Sequence, residues 1–524
     1  MSGDAQPQNP LLAQSALVEW LSTPAAYPDR PPQVEIAETH ISWVFLTPDF
    51  VYKLKKPVRF DFLDFSTLEQ RKAACEEELR LNQRMAPGVY LEVLAVSRTP
   101  AGSFTWGGGG RVVDWLVHMR RLPAERMLDD LVRRVALEDA DLDRLAETLA
   151  RFYAQARATT ISPADYGAAY ASRVAATARE LADPRHGLDA VQVERVNSAQ
   201  QRYLALAADI VGARAAAGRV IEGHGDLRPE HICLIDPPAM FDCIEFNAAF
   251  RRIDVIDELS FLAMECDQLG RPDVGREILA RYRAESGDEA PEELVHFYKA
   301  YRASVRAKVA ALRAAEHVGA ESARDRREAA TYLALADRYV AELPRPPLVV
   351  VRGISGSGKS TLAAQLAKRL GARLLRTDEV RKELSSAANH AERYRPEARA
   401  AVYDVLFARA AELLGQGLMV LLDGTFLEQE LRRRACETAE AAGVRCVQLH
   451  CVVAAETAQQ RIARRQAEGT DASEATPALV LQQLAANEPE EPAFPTVEIS
   501  TESENVCDRA IRALAAALRY PAPK

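Results

Sequence analysis

Between residues 346 and 370 the chain reads PPLVVVRGISGSGKSTLAAQLAKRL, and no other stretch restricts its folding so tightly. Leu348 to Val351 is an apolar run of the length of a buried strand, and TLAAQLAKRL spaces its apolar residues at helical intervals. Between them Gly353, Gly358, Lys359 and Ser360 complete G-x-x-x-x-G-K-S. Strand, glycine-rich turn and helix in that order form a phosphate cradle. Backbone N–H groups of Ser355, Gly356, Ser357 and their neighbours converge on anionic oxygens while the new helix, with Thr361 in its first turn, presents its positive end. Lys359 is placed to reach the β and γ phosphates of ATP, and the Ser360 hydroxyl to hold Mg2+.

The rest of the carboxy-terminal region suits this motif. Strand-like runs at Leu348 to Val351, Leu418 to Leu422 and Val444 to Val453 alternate with amphipathic helices, the pattern of a parallel α/β sheet. GLMVLLDGTF ends its apolar run in Asp423, where a second carboxylate can orient the magnesium. ARLLRTDEVRKEL is another apolar strand, ending at Leu375 and followed by Thr377, Asp378 and Arg381. LPRPP at residues 343 to 347 cannot continue the preceding helical stretch, so the domain boundary is expected there, with 344–524 forming the P-loop domain.

The chain's 524 residues exceed one compact core at ~150 residues per domain. Residues 1–343 divide by pattern into a sheet-rich lobe at about 30–120 and a helical lobe at about 121–343. Gly107 to Gly110 is expected to form a flexible hairpin tip. No apolar run approaches the ~20 residues of a membrane span. The start, MSGDAQPQNP, has no basic segment leading into an apolar one, so a cytoplasmic location is expected. Eight scattered cysteines without a C-x-x-C pair argue against a disulfide framework or zinc site. A net charge of −9 supplies no global attraction to nucleic acid.

The stretch ARLLRTDEVRKEL resembles P-loop kinases of the zeta-toxin, gluconate-kinase and polynucleotide-kinase type. The resemblance implies that Asp378 binds the acceptor hydroxyl and serves as base, with Arg381 as a phosphate or substrate contact. Such chemistry needs little beyond alignment and charge neutralisation. QQRIARRQAEGTDASEAT places Arg461, Arg464 and Arg465 on one helix before a flexible turn; in the related kinases such a segment is a lid, and any of the three arginines can be the one that meets the triphosphate.

A second constellation reads GHGDLRPEHICLIDPPAMFDCIEFN. It resembles the aminoglycoside phosphotransferase-like family, whose catalytic loop has the form H-G-D-x-x-x-x-N and precedes a metal-binding acid. The resemblance implies a bilobal protein-kinase-like fold for residues 1–343. It makes Asp226 the base, Asp242 or Glu245 the acid on metal, Lys53 of VYKLKKP the phosphate-pairing lysine and Glu78 its partner. His231 stands where the family has asparagine, and imidazole suits manganese better than magnesium. The hairpin SWVFLTPDFVYK lacks the glycines of a nucleotide-covering loop.

Together the two stretches resemble a bacterial family of fused aminoglycoside phosphotransferase-like and P-loop ATP-binding proteins, which implies a chain of mixed α+β and α/β class, a kinase-like domain followed by a P-loop domain with a parallel sheet flanked by helices. The leading expectation is an ATP-dependent phosphotransferase acting on a hydroxyl of a small molecule. Two alternatives stand beside it: a 5′-hydroxyl polynucleotide kinase, disfavoured by the acidic charge, and a nucleotide-switched binding protein with a degenerate kinase-like half. No motif encodes the acceptor or the oligomeric state.

Overall fold

The computed structural model describes residues 10–60, 63–384, 395–468, 476–489 and 494–518. Contacts group the chain into two units, Met1–Thr160 with Ala217–Ala290, and Ile161–Ala216 with Pro291–Lys524.

The first unit opens with a six-stranded antiparallel sheet. Its order is Glu35–Glu38, Ser42–Leu46, Phe50–Lys55, Arg111–Arg120, Tyr90–Arg98, Phe104–Trp106. One face packs on the helix Pro10–Leu21 through Leu17, Leu21, Phe45, Tyr52 and Leu54. Val117 and Tyr90 meet Cys75 of the helix Leu68–Asn82. That helix begins where it does because Thr67 and Gln70 form a reciprocal capping box. A buried polar tie locks the layers: Arg71 donates to both oxygens of Asp114 at 2.8 and 3.0 Å, and Gln14 donates to Asp114 at 2.6 Å.

The four-glycine run differs from the hairpin tip expected of it. The strands it joins do not pair with each other but lie on opposite edges of Tyr90–Arg98, so the run crosses over the end of that strand. The crossing is close enough that a Cβ on Gly110 would stand 2.1 Å from the Arg98 carbonyl oxygen.

Beyond the sheet, Val220–Glu222 pairs antiparallel with Arg252–Asp254, and Ile232–Cys233 with Ala239–Met240. These short ladders carry the loop around Asp226 over the helix Val255–Gln268, whose residues 255–266 are all buried.

In the second unit five parallel strands stand in the order Arg373–Arg376, Val420–Asp423, Leu348–Arg352, Cys446–Val452, Thr496–Ser500. Val349 and Val351 face a core with Leu362 and Leu366, whereas Leu348 and Val350 face one with Leu406 and Leu431. A strand buried on both faces needs the unbroken apolar run seen at Leu348 to Val351. The last strand, Thr496–Ser500, carries a weaker signal, with Glu498 exposed, and pattern reading did not find it.

Residues 161–216 and 291–343, grouped by composition with the first half, make their contacts with the P-loop sheet's unit. The reason is apolar burial. Leu206, at the end of the helix Ala190–Leu206, lies in the same core as Val349 and Leu366. Gln201 donates to the Lys368 carbonyl, and Arg373 pairs with Glu194 at 2.6 Å. The prolines at 344, 346 and 347 mark where a helix gives way to a strand, not where packing ends. No described helix is long and apolar enough to cross a membrane. All eight cysteines are free thiols, six of them buried.

Candidate functional site

In an open parallel sheet, ligands bind beyond the carboxyl ends of the strands where the strand order reverses. Here that point lies beside Leu348–Arg352, which has Val420–Asp423 on one side and Cys446–Val452 on the other. The P-loop leaves this strand, Asp423 ends its neighbour, and Asp378 follows the next strand by two residues. The loop and two acids distant in sequence thus reach one edge of the sheet.

The loop's shape is imposed by its surroundings. Gly356 adopts φ +81°, and a Cβ there would meet the Ala458 carbonyl oxygen at 2.4 Å. Ser357 and Ser355 are buried, while Lys359 is half-buried and donates to the Ile354 carbonyl at 3.3 Å. A cavity of about 920 Å³ opens beside it, lined by Gly356, Gly358, Lys359, Ser360 and Thr361 together with Arg376, Glu379, Arg461, Arg464 and Arg465. That volume suits a nucleotide-sized ligand.

Asp423 is 4% exposed and accepts from Arg376 Nε at 3.1 Å through Oδ2. Its buried Oδ1 has no hydrogen-bond partner among the described residues. A buried carboxylate oxygen without a donor is costly unless something binds it, so Asp423 with Ser360 fits a magnesium ion. Asp378 lies in the first turn of the helix Thr377–Leu384 and pairs with Arg381 at 2.5 Å. All three helix arginines line this cavity. Arg461 donates to the Thr501 hydroxyl at 2.9 Å and to the Thr501 carbonyl at 3.0 Å, and Thr501 in turn donates to the Ser357 carbonyl at 2.6 Å. It is tied to the loop's frame. Of the turn that follows these arginines, residues 469–475 lie outside the described residues.

The first unit's site is a chain of ion pairs. Lys53 Nζ stands 2.9 Å from Glu78 Oε1 and 2.6 Å from Asp242 Oδ1. Burial alone would depress the Lys53 ammonium, but Asp242 and Glu78 more than offset it and hold the group well above its ordinary value. Burial likewise opposes the charge on Asp242, yet Lys53 and then His231 keep its carboxyl below the usual range. His231 Nδ1 donates to the Asp226 carbonyl at 2.9 Å, and its Nε2 lies 3.3 Å from Arg228 Nη2 and 3.7 Å from Asp242 Oδ2. Among the described residues no three His, Cys, Asp or Glu side chains form a metal cage by themselves. Imidazole and Asp242 instead supply two donors of the kind that hold a metal against phosphate oxygens.

Glu245, the other acid open in the sequence, sits elsewhere. It is buried against Lys55, which also reaches Glu78 at 2.6 Å. The loop around Asp226 is fixed from below by Glu258, whose carboxylate accepts from the His224 and Gly225 N–H groups at 2.8 and 2.6 Å and from the Tyr153 hydroxyl at 2.9 Å. Burial, and then His231, push the neighbouring His224 ring down to about 4.

With both sites in view, comparison with known proteins is informative. Residues 348–489 match a family described as an AAA domain. Over 459 residues the chain is 34% identical to the uncharacterized protein Rv2004c of Mycobacterium tuberculosis (strain ATCC 25618 / H37Rv), covering 84% of this chain and 88% of that one. The chain belongs to the family of that mycobacterial protein. Among solved structures, a choline/ethanolamine kinase family protein from Mesorhizobium loti aligns with a TM-score of 0.38 and 17% identity, covering 62% of this chain and 98% of that one. A gluconokinase from Sinorhizobium meliloti 1021 aligns with a TM-score of 0.25 and 21% identity, covering 33% and 93%. Residues 348–489 thus match an AAA domain on the five-stranded parallel sheet, the α/β architecture expected of this region from the sequence.

Several site residues escaped sequence reasoning. Arg376, one residue past the strand end expected at Leu375, lines the cavity and donates to Asp423. Lys55 repeats two residues after Lys53 on the same strand face, a period-2 signal that marks it in retrospect. Arg228 lies within the quoted loop and donates to Asp226 Oδ2 at 3.1 Å. Thr501 and Glu258 carry no local motif.

Proposed function

We propose that the protein transfers the γ-phosphoryl group of ATP to a hydroxyl of a small molecule, chiefly at the P-loop site. The observation that carries this reading is the edge of the parallel sheet. There the P-loop, an Asp423 oxygen without a donor, and a cavity lined by Lys359, Arg464 and Arg465 meet. Lys359 and the loop amides grip the triphosphate, the arginines offset charge on the transferring group, and Asp378, held by Arg381, accepts the acceptor's proton. Bound by Ser360 and Asp423, Mg2+ would neutralise phosphate oxygens. The acceptor is a small molecule, not nucleic acid, in keeping with the acidic chain. Release of ADP that depends on the acceptor, followed in a metabolite-extract screen with labelled ATP on the full chain, tests this. Slow ATP hydrolysis with no labelled product would favour a nucleotide-switched binding protein instead.

A second reading concerns the first unit, where the Lys53–Glu78 and Lys53–Asp242 pairs are assembled beside Asp226. It is a second ATP site, with Asp226 as base, in which His231 and Asp242 favour Mn2+. In a Lys359→Ala background that silences the P-loop, residual turnover should be supported better by Mn2+ than by Mg2+. His231→Asn should move the preference toward Mg2+; an unchanged metal ratio would remove His231 from the metal's ligands.

A further inference from the structure

The P-loop sequence says nothing of what holds the loop in shape, and its glycines make that a real question. Gly353 at φ +142° and Gly356 at φ +81° bracket Ile354 and Ser355 with backbone conformations that other residues rarely adopt, so the loop's placement of the peptide unit between those two residues depends on what surrounds it. In the structure both ends of this unit are occupied. Its carbonyl, from Ile354, accepts from Lys359 Nζ at 3.3 Å. Its N–H, from Ser355, donates to Gln483 Oε1 at 2.6 Å.

Gln483 lies 124 positions beyond Lys359, on the short helix Leu479–Ala485, outside every motif singled out in the sequence. The helix is seated firmly: Val480 is fully buried in a cluster with Ile354, Leu427, Ala458 and Ile462. Ile354 is therefore gripped by apolar contact and Ser355 by a hydrogen bond, both from the same helix. With Ser355 N–H committed to Gln483, the triphosphate is left the later amides of the loop and the lysine.

We propose that Gln483 is a positioning residue for the P-loop, acting on Lys359 through the Ile354–Ser355 peptide. Its carbonyl oxygen fixes the plane of that peptide, and the plane aims the Ile354 carbonyl that parks the Lys359 ammonium at the loop. When ATP enters, the lysine is already within reach of the β and γ oxygens, and no rotation of the loop is required first. The inference rests on the reading that this loop binds ATP, and its test separates the two.

Hydrogen exchange followed by mass spectrometry on the full chain reports the loop peptide directly, apart from any nucleotide bound in the other unit. Gln483→Met keeps the size and helix preference of the side chain but removes the acceptor. Loop amides should then exchange faster in the unliganded protein. The ATP concentration that half-protects them should rise about threefold to tenfold, the net worth of one hydrogen bond. Gln483→Glu, which retains an acceptor for Ser355 N–H, should restore slow exchange without ATP, a rescue that a merely space-filling role would not show. Unchanged exchange and half-protection in Gln483→Met would overturn the proposal, as would equally fast exchange in the glutamate variant. Failure of ATP to protect the wild-type loop at all would overturn the ATP site itself.

Discussion

The two candidate sites are built on opposite principles. In the first unit charge is matched to charge: Lys53 bridges Glu78 and Asp242, Lys55 bridges Glu78 and Glu245, and Arg228 joins Asp226 to Glu230. In the P-loop unit the geometry comes from backbone and apolar packing, and polar groups are left open, with Asp423 Oδ1 and Ser357 Oγ both buried and without partners among the described residues. A site of the first kind uses its functional groups to hold itself together. One of the second kind leaves some of them open to a ligand. Single substitutions should therefore damage stability in the first unit and binding or turnover in the second.

The sharpest expected effect is catalytic. Asp378→Asn should lower acceptor phosphorylation by ~10²–10⁴-fold, the range for loss of a general base, while ATP binding is retained. Normal turnover of the true acceptor would reduce Asp378 to the partner of Arg381. Next comes Glu78→Gln, which leaves two buried lysines sharing fewer carboxylates. Breaking buried pairs in this way costs about 3–5 kcal/mol, to be read as a lower denaturation midpoint for the first unit. A midpoint within error of wild type would break the contrast.

Lys359→Ala should do the reverse, removing one ATP-binding event in calorimetry at a cost of about 1.5–3 kcal/mol per lost charged hydrogen bond, with the denaturation midpoint unmoved. Unchanged nucleotide stoichiometry and affinity would sink the P-loop assignment. The smallest effect is a pH dependence shared by the two units. Burial pushes His224 to about 4 from 6.5, and burial with Arg352 and Arg432 does the same to His450. Between those values the unfolded chain binds the extra proton. Stability is then full above pH ~6.5 and declines as pH falls toward 4, by ~1.4 kcal/mol per pH unit for each ring. His224→Gln should remove one proton's share of that slope in denaturation curves at pH 4.5 to 6. An unaltered slope would mean that the folded protein tolerates the protonated ring.

Much of the P-loop unit was legible because its chemistry is local. The loop needs glycines, a lysine and a serine at fixed spacing between one strand and one helix, and Asp423 is visible as the acid that ends an apolar run. The family resemblance of the first unit also pointed to the pairing of Lys53 with Glu78, and the two stand 2.9 Å apart. What the sequence left open was settled by distance in three dimensions. Asp242 and Glu245 are equivalent as letters, three residues apart. Only the fold, turning the chain at Asp242 with φ +63° and burying Glu245 against Lys55, sets one beside His231 and the other in the ion-pair core. The grouping of residues 161–216 with the P-loop sheet, and the hold of Gln483 on Ser355, were likewise decided by tertiary packing. An apolar face or a single amide specifies that it must be covered, but not which distant segment will cover it.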